Sequence, residues 1–359
     1  MKHVKTPIAL ASHFVHQRFL WFLLAGYIIA GFLPNMGLWI RTVSLGQISA
    51  FHQQTQVSLP MLMLFFLLLN AGLGVELSGL KSMKDNLKII CCGVAANIVV
   101  PLAYIFVVSH GMALWHNSEE TQNILVGLAL VASMPIAGSS TAWAQNANAN
   151  MAISLSLVLA TTFMSPLTTP LALHAVGSMT TGDFSEDLHE LASQGTGMFL
   201  TLCVILPSIL GIVLRLVLGK KRVTAAKPYL KLVNSTVLLL LVYSNASISL
   251  PKAIANLDLD FLAVMLTIAI SLCVLTFSAG WWIGSFLNAD HSQQTALTFG
   301  LGMNNNGTGL VLASMALADH PRVMLPIIMY NLVQHLVAGT VDHVLLSRGV
   351  KELPEPLAI

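Results

Sequence analysis

Apolar runs long enough to cross a bilayer, about 20 residues each, recur along the whole of this chain. In lipid such a run must satisfy every backbone N–H and C=O within itself, so each is predicted to be a helix. Charged residues make up only 9% of the sequence and hydrophobic residues 55%, against roughly 25% charged in a soluble domain. The chain therefore reads as an all-α polytopic membrane protein. Its net charge of +2 says little, because charges in such proteins are read by side and not by sum. The expected surroundings are the lipid bilayer, with no nucleic-acid partner.

Ten spans are predicted. They cover residues 19–38, 57–77, a run led by Lys81, Lys84 and Lys88 and ending near Val108, then 124–150, 151–176, 197–218, 232–250, 261–286, 296–318 and 323–346. A partly amphipathic linker, residues 40–55, joins the first two. The apolar stretch at residues 7–12 is too short for a secretory h-region, so no cleaved signal is expected. With both termini on the cytoplasmic side, the inner loops collect fourteen basic residues: Lys2, Lys5, Arg18, Lys81, Lys84, Lys88, Arg215, Lys220, Lys221, Arg222, Lys227, Lys231, Arg348 and Lys351. Only Arg41, Lys252 and Arg322 fall outside, completing the seventeen. This asymmetry is the positive-inside pattern; the membrane is expected to be a bacterial inner (plasma) membrane.

Two spans are interrupted by polar sequence. Residues 298–309 read Thr-Phe-Gly-Leu-Gly-Met-Asn-Asn-Asn-Gly-Thr-Gly, and residues 133–141 read Ser-Met-Pro-Ile-Ala-Gly-Ser-Ser-Thr. Glycine loosens the backbone and adjacent amides bring hydrogen-bonding groups to a dry depth, so neither stretch suits a lipid-facing helix. A close-packed helix crossing explains one such break, but two fall at matching places. Spans one to five (residues 19–176) and six to ten (residues 197–346) each carry a proline in the first span, Pro34 and Pro207, and the break in the fourth. Five is odd, so the second repeat is inverted relative to the first. Inverted repeats with broken helices point to a secondary transporter whose site lies at the midplane.

Other polar features have simpler explanations. Asn148 and Asn150 sit at a helix end, where asparagine caps or terminates. Cys91, Cys92, Cys203 and Cys273 lack metal-ligand spacing and read as buried small hydrophobes. Trp21 and Trp39 suit interface anchoring. The sequons at Asn234, Asn245 and Asn306 fall in or at the edge of spans and are not glycosylation signals. His189-Glu190 lacks the second histidine of a zinc hydrolase motif, so an enzyme is not expected.

The order of several segments resembles the bile acid:sodium symporter family across essentially the whole chain. The similarity is carried by Asn70-Ala71-Gly72-Leu73-Gly74, by Ser165-Pro166-Leu167-Thr168-Thr169-Pro170, by residues 206–215 and by Gly302-Met303-Asn304-Asn305. The resemblance implies a panel of helices 1, 2, 6 and 7 and a core of helices 3–5 and 8–10, with broken helices 4 and 9 crossing. It implies transport of small organic anions, carboxylates or bile acids, usually driven by two sodium ions. Sodium would draw on Ser140, Thr141 and Ser154 at one site, and on the carbonyls of Leu301 and Met303 and the amide of Asn304 at the other. Substrate would contact Gly138, Asn305, Gln334 and His335. No cofactor is expected beyond sodium as the coupling ion.

This chain departs from that family where charge matters most. Members typically carry a glutamate two positions before the ninth-span glycine; here that position is Gly300. Asn304 replaces a glutamine, and Val158 a threonine. Two sodium ions with no counter-charge repel by several kcal/mol even at an effective dielectric near roughly 20. At most one sodium per cycle is therefore expected, compensated by the anion. The alternatives are proton coupling through His335, an uncoupled carrier or channel, and a membrane sensor that transports nothing.

Overall fold

The computed structural model describes residues 14–15, 18–50, 53–75, 86–255 and 257–352. Lys2, Lys5, Lys81, Lys84 and Glu76 lie outside these residues.

Helix α1 (Phe19–Phe32) stops at Leu33-Pro34, and α2 (Asn35–Thr42) leaves it at 90°. Proline excludes the preceding residue from helical backbone and supplies no N–H to continue the ladder. The predicted first span, residues 19–38, is therefore a bent pair. The carbonyl of Leu33 freed by the break accepts a hydrogen bond from the Tyr243 hydroxyl at 2.6 Å. The linker forms an antiparallel hairpin, β1 (Ser44–Ala50) with β2 (Gln53–Ser58), where the sequence carries no Asn-Gly or Asp-Gly turn signal to announce it.

The chain continues as α3 (Leu59–Gly74), α4 (Leu87–Met112), α5 (Ser118–Ser133), α6 (Ser140–Asn146), α7 (Met151–Gly177) and α8 (Asp183–Glu190). Asn150 caps α7 by accepting from the amides of Ala152 and Ile153, and Asn148 takes a positive φ of 55°. Both asparagines thus terminate and restart helices as expected. Wide π-type turns (Leu191–Gly195 and Thr201–Ile205) flank a short α9 (Thr196–Leu200) and lead into α10 (Leu206–Ala255). The predicted loop between spans six and seven shrinks to one residue. Gly219 alone leaves helical backbone, at φ 78°, and the basic stretch from Lys220 to Lys231 is helical. The last helices are α11 (Leu259–Phe286), α12 (His291–Gly302), α13 (Asn306–Ala316) and α14 (Met324–Glu352).

Packing divides these helices. α10 lies against α1, α2 and α3, while α11 packs on α12, α14 and α4, and α7 on α4 and α5. Glycine sets the closest approach: a Cβ on Gly72 would sit 2.2 Å from the carbonyl oxygen of Ser208, and one on Gly211 2.1 Å from that of Leu69. Small residues are what let two backbones meet in this way.

The interior and exterior are inverted relative to a soluble protein. Trp21 is 68% exposed, Val217 75% and Phe286 87%, whereas Ser140, Ser156, Ser165 and Thr308 are completely buried. Such a surface belongs in lipid, and the protein is an integral membrane protein. Among the described residues, five helices are long and apolar enough to cross a membrane, or six if the bent pair α1/α2 counts as one. The ten predicted spans exceed that number for visible reasons. One of the five, Thr196–Ala255, holds the sixth and seventh; α3 is only 16 residues; and the fourth and ninth are split by their breaks. Cys203 and Cys273 are buried as expected, but Cys91 is exposed and Cys92 half-buried, because both lie on the outer flank of α4.

Candidate functional site

The two interruptions meet. Between α5 and α6 the chain leaves the helix at Met134 and turns at Gly138–Ser139, and between α12 and α13 it is unwound over Met303–Asn305. The two stretches lie antiparallel, with Ile136 opposite Asn304. The Ala137 amide donates to the carbonyl of Met303 at 2.8 Å, and the Asn305 amide to that of Pro135 at 2.9 Å. Each break thereby satisfies groups that the other leaves open, as buried backbone requires. The same arrangement points two helix C-termini, of α5 and α12, and two N-termini, of α6 and α13, at one region. Carbonyl ends there favour cations and amide ends favour anions.

Neighbouring side chains fix the remaining backbone. Thr161 of α7 accepts from the Ile136 amide at 3.1 Å, and Thr169 donates to the Ser133 carbonyl at 2.6 Å. Gln334 of α14 spans the Asn304 peptide, accepting from its N–H at 3.2 Å and donating to its C=O at 3.3 Å. The Gln334 amide also donates to Asn331, which in turn donates to the Tyr27 hydroxyl of α1 at 2.8 Å. Asn304 donates its own side-chain amide to the Val131 carbonyl at 2.9 Å. Phe299 stacks on Trp143 of α6 and meets Phe277 of α11 edge-on, which pins the half-helices together.

The predicted residues fall into three groups. Ser140 and Ser154 are buried, and neither hydroxyl has a hydrogen-bond partner; the Oδ1 of Asn304 is in the same condition. Unpartnered buried oxygens are costly, and three of them fall on residues read as sodium ligands, Asn304 in the second set and the serines in the first. Thr141 is half-buried and donates to the carbonyl of Gly138 at 2.8 Å, leaving its own lone pairs free. Leu301 lies in the last turn of α12, where carbonyls lack intrahelical partners, and the Met303 carbonyl is engaged by Ala137.

The expected substrate contacts are less uniform. Gly138 is exposed and Asn305 half-buried beside the crossing, where the Asn305 side chain caps α13 by accepting from the Thr308 amide. Gln334 is buried and already holds the Asn304 peptide. His335 packs edge-on against Phe19 of α1, ring centroids 6.0 Å apart. Sequence reasoning missed Thr161, Thr169 and Asn331 as supports of the breaks. The surplus of hydroxyls on α7 was the signal for the first two; nothing marked Asn331. Asn306 and Thr308 are also buried with unpartnered side chains.

At Gly300 the environment matches the missing acid. A Cβ there would meet only Leu157 at 3.1 Å and Ile136 at 3.8 Å, both fully buried apolar residues. The position is apolar on every side recorded, and the hydrogen-bond partners at the crossing, among the described residues, are all neutral.

Two unwound helices laid antiparallel inside a lipid-facing bundle define a membrane protein with a discontinuous-helix site. The chain matches the SBF-like CPA transporter family (DUF4137) over residues 17–345, and it belongs to that family, which is related to the bile acid:sodium symporters. It is also similar to the uncharacterized protein YbaS of Bacillus subtilis (strain 168), 26% identical over 223 residues, which covers 62% of this chain and 68% of that protein.

Proposed function

We propose that the protein is a secondary transporter that moves a small organic anion, a carboxylate or bile-acid-like molecule, by alternating access, coupled to at most one sodium ion per cycle. The observation that carries this reading is the antiparallel pairing of the two breaks beside buried, unpartnered oxygens of Ser140, Ser154 and Asn304. Membership of a transporter family supports transport over catalysis. Ser140, Thr141 and Ser154 form one candidate cation site, and Leu301, Met303 and Asn304 the other; Gly138, Asn305, Gln334 and His335 are the candidate substrate residues. The bundle of α1–α3 with α10 acts as the panel, and the remainder as the core.

Contacts between loops support the ten-span inverted topology, which we place in a bacterial inner membrane with cytoplasmic termini. His116 approaches Asp260 at 3.5 Å, His320 approaches Asp187 at 3.4 Å, and Arg322 approaches Glu119 at 3.9 Å. All six residues lie in loops assigned to the outside. Asn150 with Ser292, and Gln293 with Asn86, join loops assigned to the inside.

The coupling is set by charge. With Gly300 and no carboxylate at the crossing among the described residues, one sodium and one anion neutralise each other, while a second cation meets like-charge repulsion. The test is counterflow in proteoliposomes, with a labelled bile acid and labelled short monocarboxylates as probes. Trans-stimulated exchange and an initial rate linear in sodium are expected. A rate rising with the square of sodium concentration defeats the stoichiometry, and no exchange of any probe defeats the carrier reading.

A further inference from the structure

A second polar cluster lies away from the crossing, where α2, α10 and α13 meet. Arg41 of α2 donates to the Oδ1 of Asn245 at 2.7 Å and to the carbonyl of Ser314 at 3.0 Å. It is half-buried, and no described carboxylate pairs with it. A guanidinium drawn into a membrane protein without a counter-ion is costly, and such groups usually mark a ligand path. Gly37, one turn before Arg41, brings α2 tight onto α10: a Cβ there would sit 2.1 Å from the Ser247 hydroxyl. The position of Arg41 is therefore fixed by backbone packing and not by its own side chain.

The partner helix continues the feature. Asn245, Ser249 and Lys252 are spaced i, i+4 and i+7, which aligns them on one stripe of α10. Asn245 is completely buried with its Nδ2 unpartnered, and Ser249 is 2% exposed with its Oγ unpartnered. Both atoms are hydrogen-bond donors. One end of the stripe is Arg41; the other, roughly 10 Å along the helix, is Lys252. There Lys252, Arg322, Asp258, Asp260 and Phe261 line a cavity of about 750 Å³. Of its acids, Asp258 caps α11 by accepting from the Phe261 amide and Asp260 faces His116, while Arg322 approaches Glu119. Arg41, Lys252 and Arg322 are the three basic residues that the topology leaves outside.

We propose that Arg41, Asn245 and Ser249 form a binding site for the carboxylate of a small organic anion, entered from the Lys252 cavity. The site rests on the transporter reading and deepens it. Guanidinium offers five donors in a planar fork matched to a carboxylate, and the Asn245 amide and Ser249 hydroxyl supply two more that nothing else uses. In the structure the Ser314 carbonyl stands where a carboxylate oxygen would bind. Because Ser314 belongs to α13 and Arg41 and Asn245 to the α2/α10 side, an arriving anion exchanges a bond between the two halves for a bond to itself. Anion binding thereby loosens α13 from α2.

The purified full-length protein in nanodiscs tests this by equilibrium dialysis and thermal melting. Acetate and benzoate serve as probes at constant ionic strength, with uncharged benzamide as control. Wild type is expected to bind benzoate and not benzamide. Arg41→Gln should weaken benzoate at least tenfold, and Arg41→Lys less. Asn245→Asp places a fixed carboxylate on Arg41, so it should melt no lower than wild type yet lose the anion tenfold or more; this variant decides the matter if Arg41→Gln does not fold. Benzoate bound within twofold of wild type by Asn245→Asp overturns the site, as does wild type failing to prefer either carboxylate over benzamide. Counterflow separates the two readings. Exchange with Arg41-independent binding sinks the site alone, and Arg41-dependent binding without exchange sinks transport alone.

Discussion

The crossing and the outer rim handle polarity in opposite ways. At the crossing every partner is neutral: peptide groups, the hydroxyls of Thr161 and Thr169, and the amides of Gln334 and Asn304. At the rim the charges gather, with Arg41, Lys252, Arg322, Asp258 and Asp260 on or near one mouth. A neutral site holds an ion only while enough oxygens face it, and it releases the ion without having to neutralise a fixed charge. Beyond the mouth, Arg41, which no described carboxylate pairs with, offers an anion a fixed positive charge. On the proposed reading, coupling belongs to the crossing and recruitment to the rim.

Restoring the acid is the strongest way to break that division. Gly300→Glu puts a carboxylate against Leu157 and Ile136, and an uncompensated buried charge costs about 3–5 kcal/mol. The variant should melt well below wild type in sodium-free buffer and recover much of that loss when sodium is added. Equal melting in both buffers would show that the position is already wet or charged, and the contrast between crossing and rim would collapse.

A smaller loss is expected from Gln334→Leu. It leaves the N–H and C=O of Asn304 without their side-chain partner while keeping the volume apolar. Each unsatisfied buried group costs about 1–3 kcal/mol, so stability should fall by about 2 kcal/mol or more in thermal or urea unfolding. If Gln334 instead serves chiefly as a substrate contact, melting stays near wild type and only anion affinity drops.

Much of this contrast was legible before any coordinates. The breaks announced themselves because glycine, proline and asparagine are conspicuous in apolar sequence, and one helix end followed from Asn150; the capping box that Asp290 forms with Gln293 at the start of α12 went unread. What sequence could not supply was direction. Gln334 and His335 are neighbours, yet one grips the Asn304 peptide and the other packs on Phe19, because adjacent helical positions diverge by about 100°. The bend at Pro34 was visible as a proline but not as a right angle, and Gly219 gave no sign of reducing a loop to one residue. The pairing of Arg41 with Asn245 spans 204 positions, a separation no local pattern encodes.

The smallest effect is the response to pH. Two acids outside the spans respond to acid in opposite directions. Hydrogen bonds from Ser292 and the Gln293 amide, led by Ser292, hold the Asp290 carboxyl below its ordinary 3.8. Its folded form favours ionisation, so its contribution is complete above about 3.8 and is lost as pH falls through the lowered value. Partial burial raises Asp187 above 3.8, against the pull of His320. Its folded form disfavours ionisation, so its contribution declines as pH rises through the raised value. Asp290→Asn should accordingly flatten the acid limb of the melting profile, and Asp187→Asn should flatten the decline just above 3.8 toward neutrality. Asp290→Ala also removes the cap of α12, at about 1 kcal/mol, at every pH where the carboxylate is ionised. Should both asparagine variants retain the wild-type profile, the acid response would belong to other groups, and the opposed roles of Asp290 and Asp187 would have to be abandoned.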